Sequence, residues 1–105
     1  MRKPAISLVM AKYVLSRKAE ADLTAIVDFS LETFGIEQAR LYYDGLINAF
    51  NRIAGHPQVG AAFDYIKPNT RRWVHGSHVI YYRMDASSVF IRRILHQSQD
   101  PLRHL

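Results

Sequence analysis

The chain has 105 residues, 49% of them hydrophobic and 22% charged, with no cysteine and a formal net charge of +5. A single domain of this size buries roughly 65% of the surface its unfolded chain exposes, so it can fold without staples. The missing cysteines exclude disulfides, thiolate metal sites and thiol nucleophiles, and fit a reducing cytoplasm, the expected location.

No apolar run approaches the roughly 20 residues of a membrane span. The stretch Ala5 to Ala11 is short and interrupted by Ser7, so no signal peptide is expected. Residues 1–11 read as an N-terminal tail or as sequence before an alternative start, because Met10 directly precedes the first folded pattern. The charge is uneven. Residues 1–53 hold seven Lys/Arg against six Asp/Glu, whereas residues 54–105 hold seven against three. A basic surface on the second half suits nucleic acid, the ribosome or an acidic protein segment.

In chain order, Lys12 to Leu15 is a short β-type run, and Ser16 offers an oxygen to cap a helix. Ala19, Leu23, Ile26, Val27 and Phe34 recur at helical spacing, which predicts an amphipathic helix over residues 17–34. Gly35 ends it. A second stripe, Ala39, Tyr42 or Tyr43, Leu46, Phe50 and Ile53, predicts a second helix that stops at Gly55-His56-Pro57. Gly45 inside that helix either costs roughly 1 kcal/mol against alanine or marks a close contact. A joint of one or two residues forces the two helices into an antiparallel hairpin.

Residues 57–70 read as loop. The period then changes to two over Arg71 to His75, His78 to Met84 and Ser88 to His96. Gly76-Ser77 suits a two-residue type II′ turn that sets His75 opposite His78 and Trp73 opposite Ile80. The expected fold class is α+β: an N-terminal strand, an antiparallel helix hairpin and a three-stranded antiparallel meander, with the helices on one face of the sheet. Both sheet faces are about half apolar, so the second face needs a cover, either the C-terminal tail or another chain. The side taken by Phe90, Arg92 and Ile94 stays open.

These pieces together resemble the RelE/ParE toxins, and the ParE branch most closely. YVLSRKAEADLTAIVDFSLETFG is similar to the family's opening strand and first helix. EQARLYYDGLINAFNRIAGHPQVG is similar to its second helix and its "hP..G" loop, RRWVHGSHVIYYR to its central hairpin, and IRRILHQSQDPLRHL to a ParE-type ending. The resemblance makes residues 12–105 a single RelE/ParE-like domain. It implies a toxin of a type II toxin–antitoxin system, concerned with growth inhibition and plasmid or chromosome maintenance. A cognate antitoxin with an acidic amphipathic C-terminal tail would neutralise it. ParE-type toxins act on DNA gyrase, whereas RelE-type toxins cleave mRNA on the ribosome, and a shared fold does not decide between them.

An RNase needs groups to take the 2′-proton, stabilise the phosphorane and protonate the leaving oxygen. Arg71, Arg72, Arg92, Arg93, His75, His78, His96, Tyr81 and Tyr82 are candidates, but no spacing forces a constellation. His75-x-x-His78 lacks the further ligands of a metal site. Lys67 is the only lysine after residue 18, which leans away from an RNA-cutting surface. The ParE-type resemblance, with no catalytic set forced by spacing, makes the expectation a gyrase inhibitor that acts by binding, with no catalytic residue, metal or cofactor, no membrane partner and no requirement for direct nucleic-acid contact; the alternative is a ribosome-dependent mRNA endonuclease of the RelE type. Arg92, Arg93, His96, Asp100, Arg103 and His104 are the expected target-binding residues; Asp100, Arg103 and His104 match the family's terminal motif and suit either a salt-bridged lock on the tail or a target contact. Leu23, Ile26, Tyr43, Arg71, Arg72 and Trp73 are the expected antitoxin-binding residues. On strands, Arg71-Arg72 and Arg92-Arg93 would each send one arginine to either face.

Overall fold

The computed structural model describes residues 12–105, so the expectation for residues 1–11 lies outside the described residues. The elements are β1 (Tyr13–Leu15), α1 (Arg17–Phe34), α2 (Ile36–Gly55), β2 (Ala61–Ala62), β3 (Arg71–His75), β4 (His78–Met84), β5 (Val89–His96) and α3 (Pro101–His104). One five-stranded sheet runs in the order β1-β5-β4-β3-β2. β1 lies parallel to β5 and all other neighbours are antiparallel. The α+β arrangement read from sequence holds, with the meander β3-β4-β5 as the centre of the sheet.

Ser16 caps α1 by accepting the Ala19 N–H at 3.0 Å, and its hydroxyl donates to the Arg92 carbonyl at 2.7 Å. The cap therefore also stitches the helix start to β5. Ala19, Ile26 and Ser30 are buried, but Phe34 is 63% exposed and packs edge-on against Phe29 instead. Two four-residue steps from Ile26 rotate the helix roughly 80° past the buried stripe, which carries Phe34 off the core.

Gly35 alone joins the helices, with φ +91°. In α2, Ala39, Leu46, Ala49, Phe50 and Ile53 are buried; Tyr42 takes the inward place and Tyr43 is exposed. Gly45 marks a close contact: a Cβ there would lie 2.9 Å from Nε2 of His75, at the tip of the β3–β4 hairpin. That tip pairs His75 with His78 and Trp73 with Ile80, and Gly76 has φ +57° as a type II′ turn requires at its first central residue.

Ile80, Tyr82, Val89, Ile91 and Ile94 meet Leu46, Phe50 and Ile53 of the helix hairpin in the main core. A β-bulge brings both isoleucines of β5 to that face. Tyr81 pairs with Arg93 and Tyr82 with Ile91, which leaves Arg92 as the extra residue. Without it, strict alternation would place Ile91 and Ile94 on opposite faces.

Residues 57–70 are more ordered than a loop reading allows. They contain β2, whose two pairs, Ala61 with Arg72 and Ala62 with Arg71, are too few to leave a periodic signal. The turn after β2 is pinned by Phe63 N–H to Thr70 O at 2.8 Å and Thr70 N–H to Asp64 Oδ1 at 3.0 Å. Phe63 and Ile66 from this segment, with Leu105, cover Val79, Tyr81 and Leu95 on the second sheet face. The cover is thus partly the C-terminal tail, as expected, and partly a segment that the sequence reading left as loop.

The "hP..G" segment has a structural job. Tyr82 OH donates to Pro57 O at 2.7 Å and accepts the Gly60 N–H at 2.9 Å. A Cβ on Gly60 would lie 2.5 Å from that hydroxyl and 2.7 Å from Arg72 O, so only glycine fits. Burial raises the Tyr82 phenol pKa above its ordinary value.

Candidate functional site

The expected target-binding residues fall into separate places. Arg93 is a fixed structural part. Its Nε and Nη2 each donate to Asp22 of α1 at 2.8 Å, and its Nη1 donates to His104 O at 2.9 Å. Asp22 Oδ2 also accepts the Ile94 N–H at 2.9 Å. Beyond Ile91, the edge of β5 has lost its partner β1, so the Asp22 carboxylate caps the strand edge from α1. The hydrogen bonds to Asp22 raise the Arg93 pKa further.

Arg92 behaves differently. The bulge places it beside Arg93, and both line one cavity of about 230 Å³ with Arg17, Lys18, Lys67 and His104. The expectation that neighbouring arginines point to opposite faces fails here, because a bulge breaks the alternation on which it rests. It holds for the other pair. Arg71 donates to Gly60 O at 2.6 Å and to Gln58 O at 3.3 Å, on the loop before β2, whereas Arg72 sits 4.7 Å over the Phe63 ring on the second face.

Asp100 caps α3 through the Leu102 N–H at 3.0 Å. Arg103 is exposed, and no Asp100–Arg103 ion pair forms among the described residues. The lock on the tail is therefore the Arg93–His104 carbonyl bond rather than a salt bridge within the tail.

His96 lies in another place, with His75 and His78 at the hairpin tip. Tyr42 OH is 2.7 Å from His78 Nδ1 and accepts the Ser77 N–H at 3.2 Å. The His78 and His96 rings meet edge to face at 5.4 Å. Burial first, then the neighbouring His96 and His75, lower the His78 pKa. Tyr42, Ser77, His78 and His96 floor a groove of about 590 Å³ whose walls include Ile26, Phe29 and Phe34. Sequence reasoning missed this use of Tyr42; its offset of roughly 100° from Tyr43 around the helix was the available signal.

The expected antitoxin residues also divide. Leu23 and Tyr43 line an open cavity of about 640 Å³ between α1 and α2, together with Val27, Leu31, Ile36 and Ala39. Ile36 is 76% exposed and Leu31 42% exposed. Ile26 belongs to the core and Trp73 packs against it. Among the described residues no group of three or more His, Cys, Asp or Glu is placed to hold a metal ion, and no helix is long and apolar enough to cross a membrane.

The sequence model of one family, ParE toxin of type II toxin-antitoxin system, parDE, matches residues 13–101. Toxin ParE1 of Caulobacter vibrioides is 41% identical over 96 residues, which cover 91% of this chain and 99% of that protein. Toxin ParE1 of Mycobacterium tuberculosis is 36% identical over 96 residues, covering 90% and 98%.

This chain belongs to the ParE toxin family.

Solved structures agree on the fold of this ParE-type toxin. A chain of the chromosomal ParDE system from P. aeruginosa superposes with a TM-score of 0.69 at 23% identity, covering 84% of this chain and 97% of that one. A chain of the RelBE2 toxin–antitoxin complex of Mycobacterium tuberculosis superposes with a TM-score of 0.62 at 20% identity, covering 82% and 96%. The second likeness shows that the fold is shared with the RelE branch and leaves the target to other arguments.

Proposed function

We propose that this ParE-type toxin inhibits DNA gyrase by binding, without a catalytic centre of its own, and that a cognate antitoxin neutralises it by laying an amphipathic segment between α1 and α2. The observation that carries the antitoxin reading is the hairpin groove. Leu23, Val27, Leu31, Ile36 and Tyr43 present apolar surface to solvent there, while the second sheet face is covered by the chain's own Phe63, Ile66 and Leu105. An amphipathic helix buries anchors at helical spacing in such a groove. Both structural neighbours belong to toxin–antitoxin systems, which supports a partner of this kind.

Gyrase as target follows from the ParE-type resemblance. It is supported by how the candidate acid–base groups are used. Tyr82 and Arg71 hold the loop before β2, Arg93 holds Asp22, and the histidines gather around Tyr42 at the hairpin tip. The Arg92 cavity and the histidine cluster share no lining residue. A ribosome-dependent nuclease would need such groups converged on one phosphodiester.

Tyr43→Ala tests the partner's placement. The variant should bind the product of the neighbouring antitoxin gene about tenfold more weakly and still stop growth on induction. Unchanged antitoxin affinity would remove the antitoxin from this groove.

A further inference from the structure

The cavity around Arg92 is more than a surface patch. Arg17, Lys18, Lys67 and Arg92 line it together, and none of the four forms an ion pair among the described residues. The other cations nearby are committed: Arg93 to Asp22, and Arg83 to Asp85 at 2.9 Å. None of the side chains lining it is acidic. Nε of Arg92 is buried and has no hydrogen-bond partner among the described residues. Burial, with the Arg83 charge close by, lowers the Arg92 pKa. A half-buried guanidinium held among like charges and left with an open donor is costly in the unliganded chain. An anion between these groups would balance the unpaired charges.

Arg17 and Lys18 are the first two residues of the 18-residue helix α1. Ser16 Oγ takes the Ala19 N–H, and Glu20 is the first donor to an intrahelical carbonyl, at 2.9 Å from Ser16 O. The N–H groups of residues 17 and 18 therefore precede the helix ladder, at its positive end. Four cations surround a cavity of about 230 Å³ whose lining side chains include no carboxylate. They match a group with two negative charges and several acceptor oxygens, and an arginine fork beside a helix N-terminus suits that geometry.

We infer that the Arg17–Lys18–Lys67–Arg92 cavity is a phosphate-binding site, which takes either a phosphomonoester or the backbone phosphates of a nucleic-acid strand. It is separate from the α1–α2 groove and independent of which target the toxin inhibits.

The test is a titration of the intact chain with inorganic phosphate, followed by the amide resonances of Arg17 and Lys18 and the Nε–H resonance of Arg92. Sodium chloride at matched ionic strength is the control. The expected result is a saturable shift at these three positions, weakened about tenfold in Arg92→Gln, the loss expected for one charge-assisted hydrogen bond. Lys67→Gln, at an exposed position, should weaken it in the same direction and carries the test if Arg92→Gln does not fold. Two further arms separate the sources. Displacement of phosphate by a short single-stranded oligonucleotide, with a salt dependence that Arg92→Gln reduces, assigns the site to backbone phosphates. Displacement by adenosine monophosphate but not by the oligonucleotide assigns it to a phosphomonoester. The inference is overturned by shifts that chloride reproduces, by no saturation, or by wild-type binding in both variants.

Discussion

Removing the Asp22 carboxylate should cost this fold more than any other single change to a surface-lying charge. In Asp22→Ala, three hydrogen bonds disappear together: two from Arg93 at 2.8 Å and one from the Ile94 N–H at 2.9 Å. The side chains of the pair are 14% and 16% exposed, so water replaces the lost oxygens only in part. Breaking a fully buried pair costs about 3–5 kcal/mol, and the residual exposure places this one near the lower end, at about 3 kcal/mol. A domain of this size has a total stability of roughly 5–15 kcal/mol, so the variant should still fold. Urea unfolding followed by circular dichroism should show a lower midpoint with an unchanged slope.

Arg93→Met alone leaves Asp22 with only the Ile94 N–H. Asp22→Ala combined with Arg93→Met should recover part of the loss, because an apolar replacement of both partners leaves no stranded charge. The coupling between the two sites should exceed about 1.5 kcal/mol. A loss below about 1 kcal/mol, or strictly additive variants, would show that α1 is not fastened to the β5 edge through this carboxylate.

Gly60→Ala should destabilise the chain by about 2 kcal/mol and raise its sensitivity to proteolysis around residues 57–62, because the new methyl meets Tyr82 OH and Arg72 O; a thermal melt matching the parent would contradict that contact. His78 makes stability depend on pH. Its folded-state pKa is lowered, so the unfolded chain binds the proton first as pH falls through about 6.5. Stability is fully present above that value and declines below it, and His78→Gln should flatten the decline between pH 7 and pH 5, as read from urea midpoints. Arg92→Met should raise the unfolding free energy by about 1 kcal/mol, read from urea unfolding, since it removes a buried donor without a partner; a destabilised variant would mean that the arginine has a bond within the chain.

Much of the fold was legible because its signals are local. The caps, the 3.6-residue stripes and the Gly76-Ser77 turn set α1, α2 and the hairpin register. What escaped depends on distant partners. β2 exists only because Arg71 and Arg72 offer it an edge; α3 is the exception, a single turn whose local signal, Asp100 as cap and Pro101 as first residue, is too short for a periodic stripe. The bulge at Arg92 reflects the need to bury both Ile91 and Ile94, and no alternation pattern announces it. The same holds for function. The residues of the ParE-type ending were visible in the sequence, yet only three dimensions separate Arg93, which is spent on Asp22, from Arg92, which is not.

The reading of this ParE-type toxin as a gyrase inhibitor is tested most directly by a supercoiling and DNA-cleavage assay with purified gyrase, with the purified chain alone and with its neighbouring-gene partner. The expected result is lost supercoiling with trapped cleaved DNA, reversed when the partner is added. Undisturbed supercoiling at clear molar excess of a folded chain that still binds its partner would contradict the account and move the target to the ribosome.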